Sequence, residues 1–166
     1  MTDVQAVQDG TARFEADAAA RGLDVEIVER PAAKSLFEAA ELLGIEPSDI
    51  VKSLVVKRKD GTFLFALVPG GRQISWPKLR ALVGVNKLQL PDEGQALAAT
   101  GYARGTIVPI GSTTAWPVFA DASIVGKRIA LGAGAHGRSA FVDADALLAS
   151  FGATVADITE PEAPRA

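Results

Sequence analysis

The chain has 166 residues, 48% of them hydrophobic, a net charge of −3, no cysteine and one histidine. That length fits one domain with one ordinary core, and the missing cysteines exclude a disulfide framework, a thiolate zinc site and a cysteine nucleophile. The acidic balance argues against a protein that coats long nucleic acid by charge, although contact with a short nucleic-acid end stays open.

A lone histidine argues against a multi-histidine metal site, so neither metal nor cofactor is expected. No apolar run approaches the roughly 20 residues of a membrane span, and the acidic start MTDVQAVQDG lacks a signal-peptide core. The expected location is cytoplasmic, with no membrane partner.

Residues 1–10 read as a flexible tail, 11–158 as a single domain and 159–166 as a second flexible tail. A helix is predicted over 11–21, stopped by Gly22, and a strand over 24–29, where Val25 and Ile27 alternate with acids. Ser35 and Glu38 form an S-x-x-E capping signal for a helix through Leu43, which Gly44 closes. Pro47 starts a short turn. The run 50–57 reads as a strand, Lys59-Asp60-Gly61 as a hairpin turn and 62–68 as the returning strand. Pro69-Gly70-Gly71 reads as a loop, and Ser75 caps a helix from Trp76-Pro77 to about Leu82. A short strand at 86–90 and a helix at 92–99 follow.

Seven glycines then fall between Gly101 and Gly137, interleaved with short strands expected at 106–109, 118–120, 128–131 and 139–142. Asp143 caps a last helix, 144–150, before a strand at 154–158. Short strands with glycine bends predict an α+β fold: a curved, barrel-like, mostly antiparallel sheet surrounded by helices.

Four features carry candidate chemistry. Lys52 interrupts an apolar strand and shares a period-2 face with Leu54 and Val56. A lysine there either meets a phosphate or carbonyl, or lies along a sheet edge with its ammonium in water. Gly105-Thr106-Ile107-Val108-Pro109-Ile110-Gly111 is a G-x-x-x-P-x-G loop, able to present backbone N–H groups to an ester carbonyl or to serve as a plain turn. The run Gly132-Ala133-Gly134-Ala135-His136-Gly137 has dinucleotide-loop spacing, but a β-like stretch follows it rather than a helix, so nucleotide binding is rejected. It remains a glycine-rich wall of a small pocket, in which His136 is either a base or substrate contact or an exposed loop residue, and Ser139 either lines the pocket or sits in a strand. Asp121 either caps backbone donors at Ser123 and Ile124 or orients a group in the pocket. No G-x-S-x-G nucleophile elbow accompanies the single histidine, which leaves a catalytic triad without support.

Taken in order, these segments resemble a known family. Glu38-Ala39-Ala40-Glu41-Leu42-Leu43-Gly44-Ile45 followed by Ile50-Val51-Lys52-Ser53-Leu54, then Thr100-Gly101-Tyr102 with the G-x-x-x-P-x-G loop, then Asp121 and Gly132-Ala133-Gly134, is similar to the YbaK/prolyl-tRNA synthetase-associated editing domain family. The resemblance covers about residues 24–158. It implies hydrolysis of the ester of mischarged aminoacyl-tRNA, in trans to a synthetase, on a substrate of the tRNA(Pro) type carrying a small amino acid such as Cys, Ala or Ser. It implies catalytic roles for Lys52, Gly105, Pro109 and Gly134. It implies substrate contacts from Lys52, Tyr102, Thr106, Ile107, Val108, Gly111, Asp121, Gly132, His136 and Ser139. The expected partners are the tRNA acceptor end and a synthetase, with Lys57, Arg72 and Lys78 near the nucleic acid. The alternative is a non-catalytic module on the same fold that holds a tRNA end or a protein.

Overall fold

The computed structural model describes residues 2–163, with side chains from residue 10 onward. Helices α1 (Thr2–Ala20), α2 (Leu36–Leu43), α3 (Trp76–Val83), α4 (Glu93–Thr100) and α5 (Ala144–Phe151) surround strands β1 (Val25–Glu29), β2 (Val51–Arg58), β3 (Phe63–Pro69), β4 (Arg72–Ile74), β5 (Leu88–Gln89), β6 (Val118–Asp121), β7 (Arg128–Gly132), β8 (Arg138–Asp143), β9 (Thr154–Ala156) and β10 (Thr159–Pro161). No helix among the described residues is long and apolar enough to cross a membrane.

The cap residues read from the sequence set the short helices. Ser35, Ser75 and Asp143 accept the backbone N–H of Glu38, Lys78 and Ala146, each satisfying a donor that the first turn leaves open. Asp92 and Gln95 add a reciprocal capping box at α4.

The strands form three sheets, ordered β5-β2-β3-β6-β9, β1-β8-β7 and β10-β4. Most pairings are antiparallel, whereas β3–β6 and β6–β9 are parallel. The sheets curve past each other without closing among the described residues, and a single parallel bridge, Ile50 with Ala130, joins the two larger ones at a corner. The fold is the expected mixed α/β arrangement.

Strand β3 lies between two layers. Phe65 and Leu67 face a core shared with α1, α5 and the β1-β8-β7 sheet, through Phe14, Leu147, Ile129 and Val142. Leu64, Ala66 and Val68 face a smaller core with Leu79 of α3, Ile74 and Ile158. A strand covered on both faces is apolar throughout, and FLFALVP is.

Four expectations are corrected. Helix α1 begins at Thr2 rather than at residue 11, so the predicted N-terminal tail is helical across its described part. The predicted C-terminal tail contains β10, which pairs with β4; residues 164–166 lie outside the described residues. The strand expected over 154–158 breaks after Ala156 because buried Asp121 takes the Ile158 N–H, which turns the chain toward β4. The stretch 106–109 is a loop rather than a strand. Its apolar residues anchor it in the core, and Thr106 turns back so that its N–H and hydroxyl both reach Ala103 O.

Candidate active site

Strand β5 pairs with β2 only at Lys57 and Arg58, so among the described residues the β2 edge over residues 51–56 is paired to no strand. A cavity of about 510 Å³ forms against this open edge. That volume falls within the range of small-molecule sites, about 300–1,000 Å³. Because the edge is bare, side chains from both faces of the strand reach the cavity: Val51, Lys52, Ser53, Leu54 and Val55. Helix α2 adds Ala39 and Leu43, and the start of α4 adds Asp92, Glu93 and Ala96. The 101–111 loop supplies Arg104, Gly105 and Ile107. The β7–β8 hairpin supplies Ala130, Leu131, Gly132, Arg138 and Ser139, and Arg30 lies beside them.

The lining holds four cations against two carboxylates, in a chain whose net charge is −3. Three of the cations are engaged. Arg104 faces Glu93 at 3.6 Å and Arg138 faces Glu29 at 3.5 Å. Arg30 donates to Ser139 Oγ at 3.1 Å and to Pro31 O at 3.2 Å. Lys52 is exposed and makes no ion pair or side-chain hydrogen bond among the described residues. Ser53 Oγ is buried in the wall and likewise has no hydrogen-bond partner among the described residues. A buried hydroxyl without a partner costs stability until a polar group reaches it.

Of the residues expected in the site, Lys52, Gly105, Ile107, Gly132 and Ser139 line the cavity. The Gly105 and Ile107 N–H groups donate to no protein acceptor among the described residues. Tyr102, Thr106, Val108, Pro109, Gly111 and Gly134 lie behind the wall instead. Tyr102 is fully buried and donates to Ile110 O at 2.8 Å, which closes the loop at its base; burial pushes its phenol up to about 12. Thr106 and Val108 turn into the core, as do Pro109 and Gly111, so Ile107 is the only one of the three expected pocket side chains on the wall. Gly134 spends its N–H on Thr106 O at 3.2 Å, tying the two loops together. A Cβ added at Gly134 would lie 2.5 Å from Gly10 O, so the close approach of α1 requires glycine there.

Asp121 takes the capping alternative. One carboxylate oxygen accepts from the Ser123 N–H and hydroxyl, the other from Ile158 N–H and the Thr159 hydroxyl. Burial pushes its carboxyl up, but these hydrogen bonds together outweigh it and hold the group below the usual carboxylate range. His136 is exposed, its ring packed beside Gly105 rather than on the cavity wall. Arg72 and Lys78 bind Thr159 and Asp157 on the β4–β10 clasp rather than facing the cavity. Sequence reasoning missed Arg30, Ser53, Arg104 and Arg138. For Ser53 a signal existed in the Lys-[Ser/Thr]-Leu motif. For Arg30 none did, because its partner Ser139 is 109 residues away.

Glycine loops on two sides and Lys52, without a protein partner among the described residues, frame this open-edged cavity, and comparison with known proteins places the chain in a family. A family model described as an aminoacyl-tRNA editing domain matches residues 30–149. The chain belongs to that family. It is similar to the proline–tRNA ligase of Thermosipho africanus, 38% identical over 88 residues that cover 53% of this chain and 16% of the ligase. It is also similar to that of Shouchella clausii, 38% identical over 108 residues that cover 64% and 19%. The chain thus spans less than a fifth of the length of these ligases. Among solved structures it is similar to one described as a candidate trans-editing enzyme for prolyl tRNA synthetase. The TM-score is 0.83 at 30% identity, covering 91% of this chain and 97% of that one.

Proposed function

We propose that the chain hydrolyses the ester joining a small amino acid, such as Ala, Ser or Cys, to the 3′ end of a mischarged tRNA of the tRNA(Pro) type, acting in trans to a synthetase. The observation that carries this reading is Lys52, an exposed cation without a partner among the described residues, on the wall of a cavity of about 510 Å³. A cation held ready in this way suits a phosphate or the terminal adenosine of an acceptor end. The similarity to a candidate trans-editing enzyme and to proline–tRNA ligases supports the choice of substrate.

An aminoacyl ester is already activated, so no strong protein nucleophile is required. Water attacks the carbonyl carbon, the bond from that carbon to the ribose oxygen breaks, and a proton moves to the departing ribose oxygen. Free amino acid and an uncharged 3′ end leave. In this reading the neighbouring ribose hydroxyl orients the water. The unengaged N–H groups of Gly105 and Ile107 receive the charge that develops on the carbonyl oxygen. Fixed donors of this kind need no rearrangement when charge appears, which makes them effective even without an acid–base pair. Val55, Leu131 and Ile107 form the apolar part of the wall against which the amino-acid side chain rests.

The test is a panel of mischarged tRNAs presented to the purified protein and to Lys52→Ala. Ester hydrolysis by the wild type on at least one member, reduced about 100-fold or more in Lys52→Ala, is expected; this is the scale on which loss of a positioning contact acts. Binding of tRNA without turnover on any member would instead establish the non-catalytic module.

A further inference from the structure

We propose that Arg13 and Asp17 of α1 are positioning residues for the hydrolysis, holding the 101–111 loop at its working distance from the 132–137 loop. This rests on the ester-hydrolase reading above. Helix α1 precedes the segment that the family model matches, and neither residue lines the cavity. Their helix nevertheless grips both loops that do.

Residues 10, 13, 14 and 17 recur at the three- and four-residue spacing that puts side chains on one helix face, and Thr11 sits beside them. Arg13 Nη2 donates to Gly101 O at 2.5 Å and Nε to Gly111 O at 3.4 Å, so one guanidinium spans the two ends of the loop. The same group lies 4.9 Å from the centre of the Tyr102 ring, whose hydroxyl closes the loop base. Asp17 accepts the Gly111 N–H at 2.8 Å. The exit of the loop is therefore held at its carbonyl by a cation and at its amide by an anion.

The opposite loop meets the same helix. Thr11 Oγ1 donates to Ala133 O at 3.2 Å, and a Cβ added at Gly10 would lie 2.2 Å from Gly134 O. The helix thus fixes the backbone beneath Gly105 and Ile107 on one side and beneath Gly132 on the other. A donor displaced by about 1 Å from the reacting carbonyl loses much of its effect, so this strut acts on the rate rather than on substrate affinity. Lysine cannot replace the arginine fully, because a single ammonium does not reproduce the rigid fork that spans two carbonyls.

The experiment uses whichever mischarged tRNA the wild type hydrolyses, and compares Arg13→Ala, Arg13→Lys and Asp17→Asn by kcat, KM and thermal midpoint. Asp143→Ala, which removes the α5 cap away from the cavity, serves as a control destabilised without disturbing either loop. Arg13→Ala is expected to lose kcat about tenfold or more with KM within about twofold, and Arg13→Lys to recover part of the loss. Asp17→Asn keeps a neutral oxygen for the Gly111 N–H but loses the charge, and is expected to lose kcat by a smaller factor than Arg13→Ala with KM within about twofold; wild-type kcat in it removes Asp17 from the proposal. Asp143→Ala is expected to lower the midpoint with kcat unchanged. A folded Arg13→Ala with wild-type kcat overturns the proposal, as does a kcat loss matched by the control. Should Arg13→Ala not fold, wild-type kcat in Arg13→Lys overturns it equally. Wild type inactive on every tRNA overturns the hydrolase reading itself, a result distinct from active wild type with unaffected variants.

Discussion

Lys52 and Asp121 hold their charges in opposite settings. Lys52 is exposed and has no partner among the described residues, so its charge is available to a ligand. Asp121 is buried, and its carboxylate satisfies four donors at the junction of β6, β9 and β10. Its folded pKa is lowered below the ordinary 3.8. The native state therefore favours the charged form, and that contribution to stability is complete above the unfolded value and lost as pH falls through the folded one. Wild-type stability, followed by urea unfolding, is expected to drop more steeply below about pH 4 than that of Asp121→Asn; equal slopes would show that Asp121 is not the group responsible. Ile107 makes a different prediction. Trimming it to alanine removes apolar bulk from the cavity wall, so Ile107→Ala is expected to gain about 10- to 200-fold on esters of larger apolar amino acids, read as kcat/KM. Lys52, Gly105, Ile107, Gly132 and Ser139 were legible in the sequence because a lysine in an apolar strand and clustered glycines are local signals. Arg30 was not, because its partner Ser139 is brought beside it only by folding.

At the scale of elements, the starts of the short helices α2, α3 and α5 were well read because capping is local chemistry: Ser35, Ser75 and Asp143 do what their types prefer at those positions. Strands β4 and β10, three residues each, were not legible, since a pair so short has no period to detect and its pairing is fixed by Asp121 and Arg72 gripping Thr159. The 106–109 segment was read as a strand because Thr-Ile-Val has β propensity. Flanking glycines with φ of 90° and 78° and a proline without an N–H make it a loop instead. That loop depends on its exit glycine. At Gly111 a Cβ would lie 2.2 Å from Tyr102 Oη and in a left-handed conformation. Gly111→Ala is expected to cost about 2 kcal/mol or more in denaturant unfolding, combining the left-handed penalty with the contact. A cost near zero would mean that the loop re-forms without the Tyr102 closure.

For the whole molecule, the sequence-level reading of an α+β fold with a curved, mostly antiparallel sheet agrees with the structure. What it could not show is that β2 runs past the end of β5 and leaves an edge bare. Which edge is left open depends on pairing between segments some 30 residues apart. The site exists because of that bare edge. The charge pattern is also a property of the whole: a chain of net charge −3 turns four cations and two carboxylates into one cavity. Under the proposed function, such a molecule would make brief, salt-sensitive contact with a short acceptor end rather than bind tightly along a whole tRNA. The most direct test is single-turnover deacylation of tRNA(Pro) charged with alanine, serine or cysteine, with correctly charged prolyl-tRNA as the comparison. Rapid release of at least one small amino acid by the wild type, with prolyl-tRNA spared and Lys52→Ala slowed about 100-fold, is the expected result. Equal hydrolysis by wild type and Lys52→Ala, or none on any of these tRNAs, would contradict the assignment of this cavity to aminoacyl-ester hydrolysis.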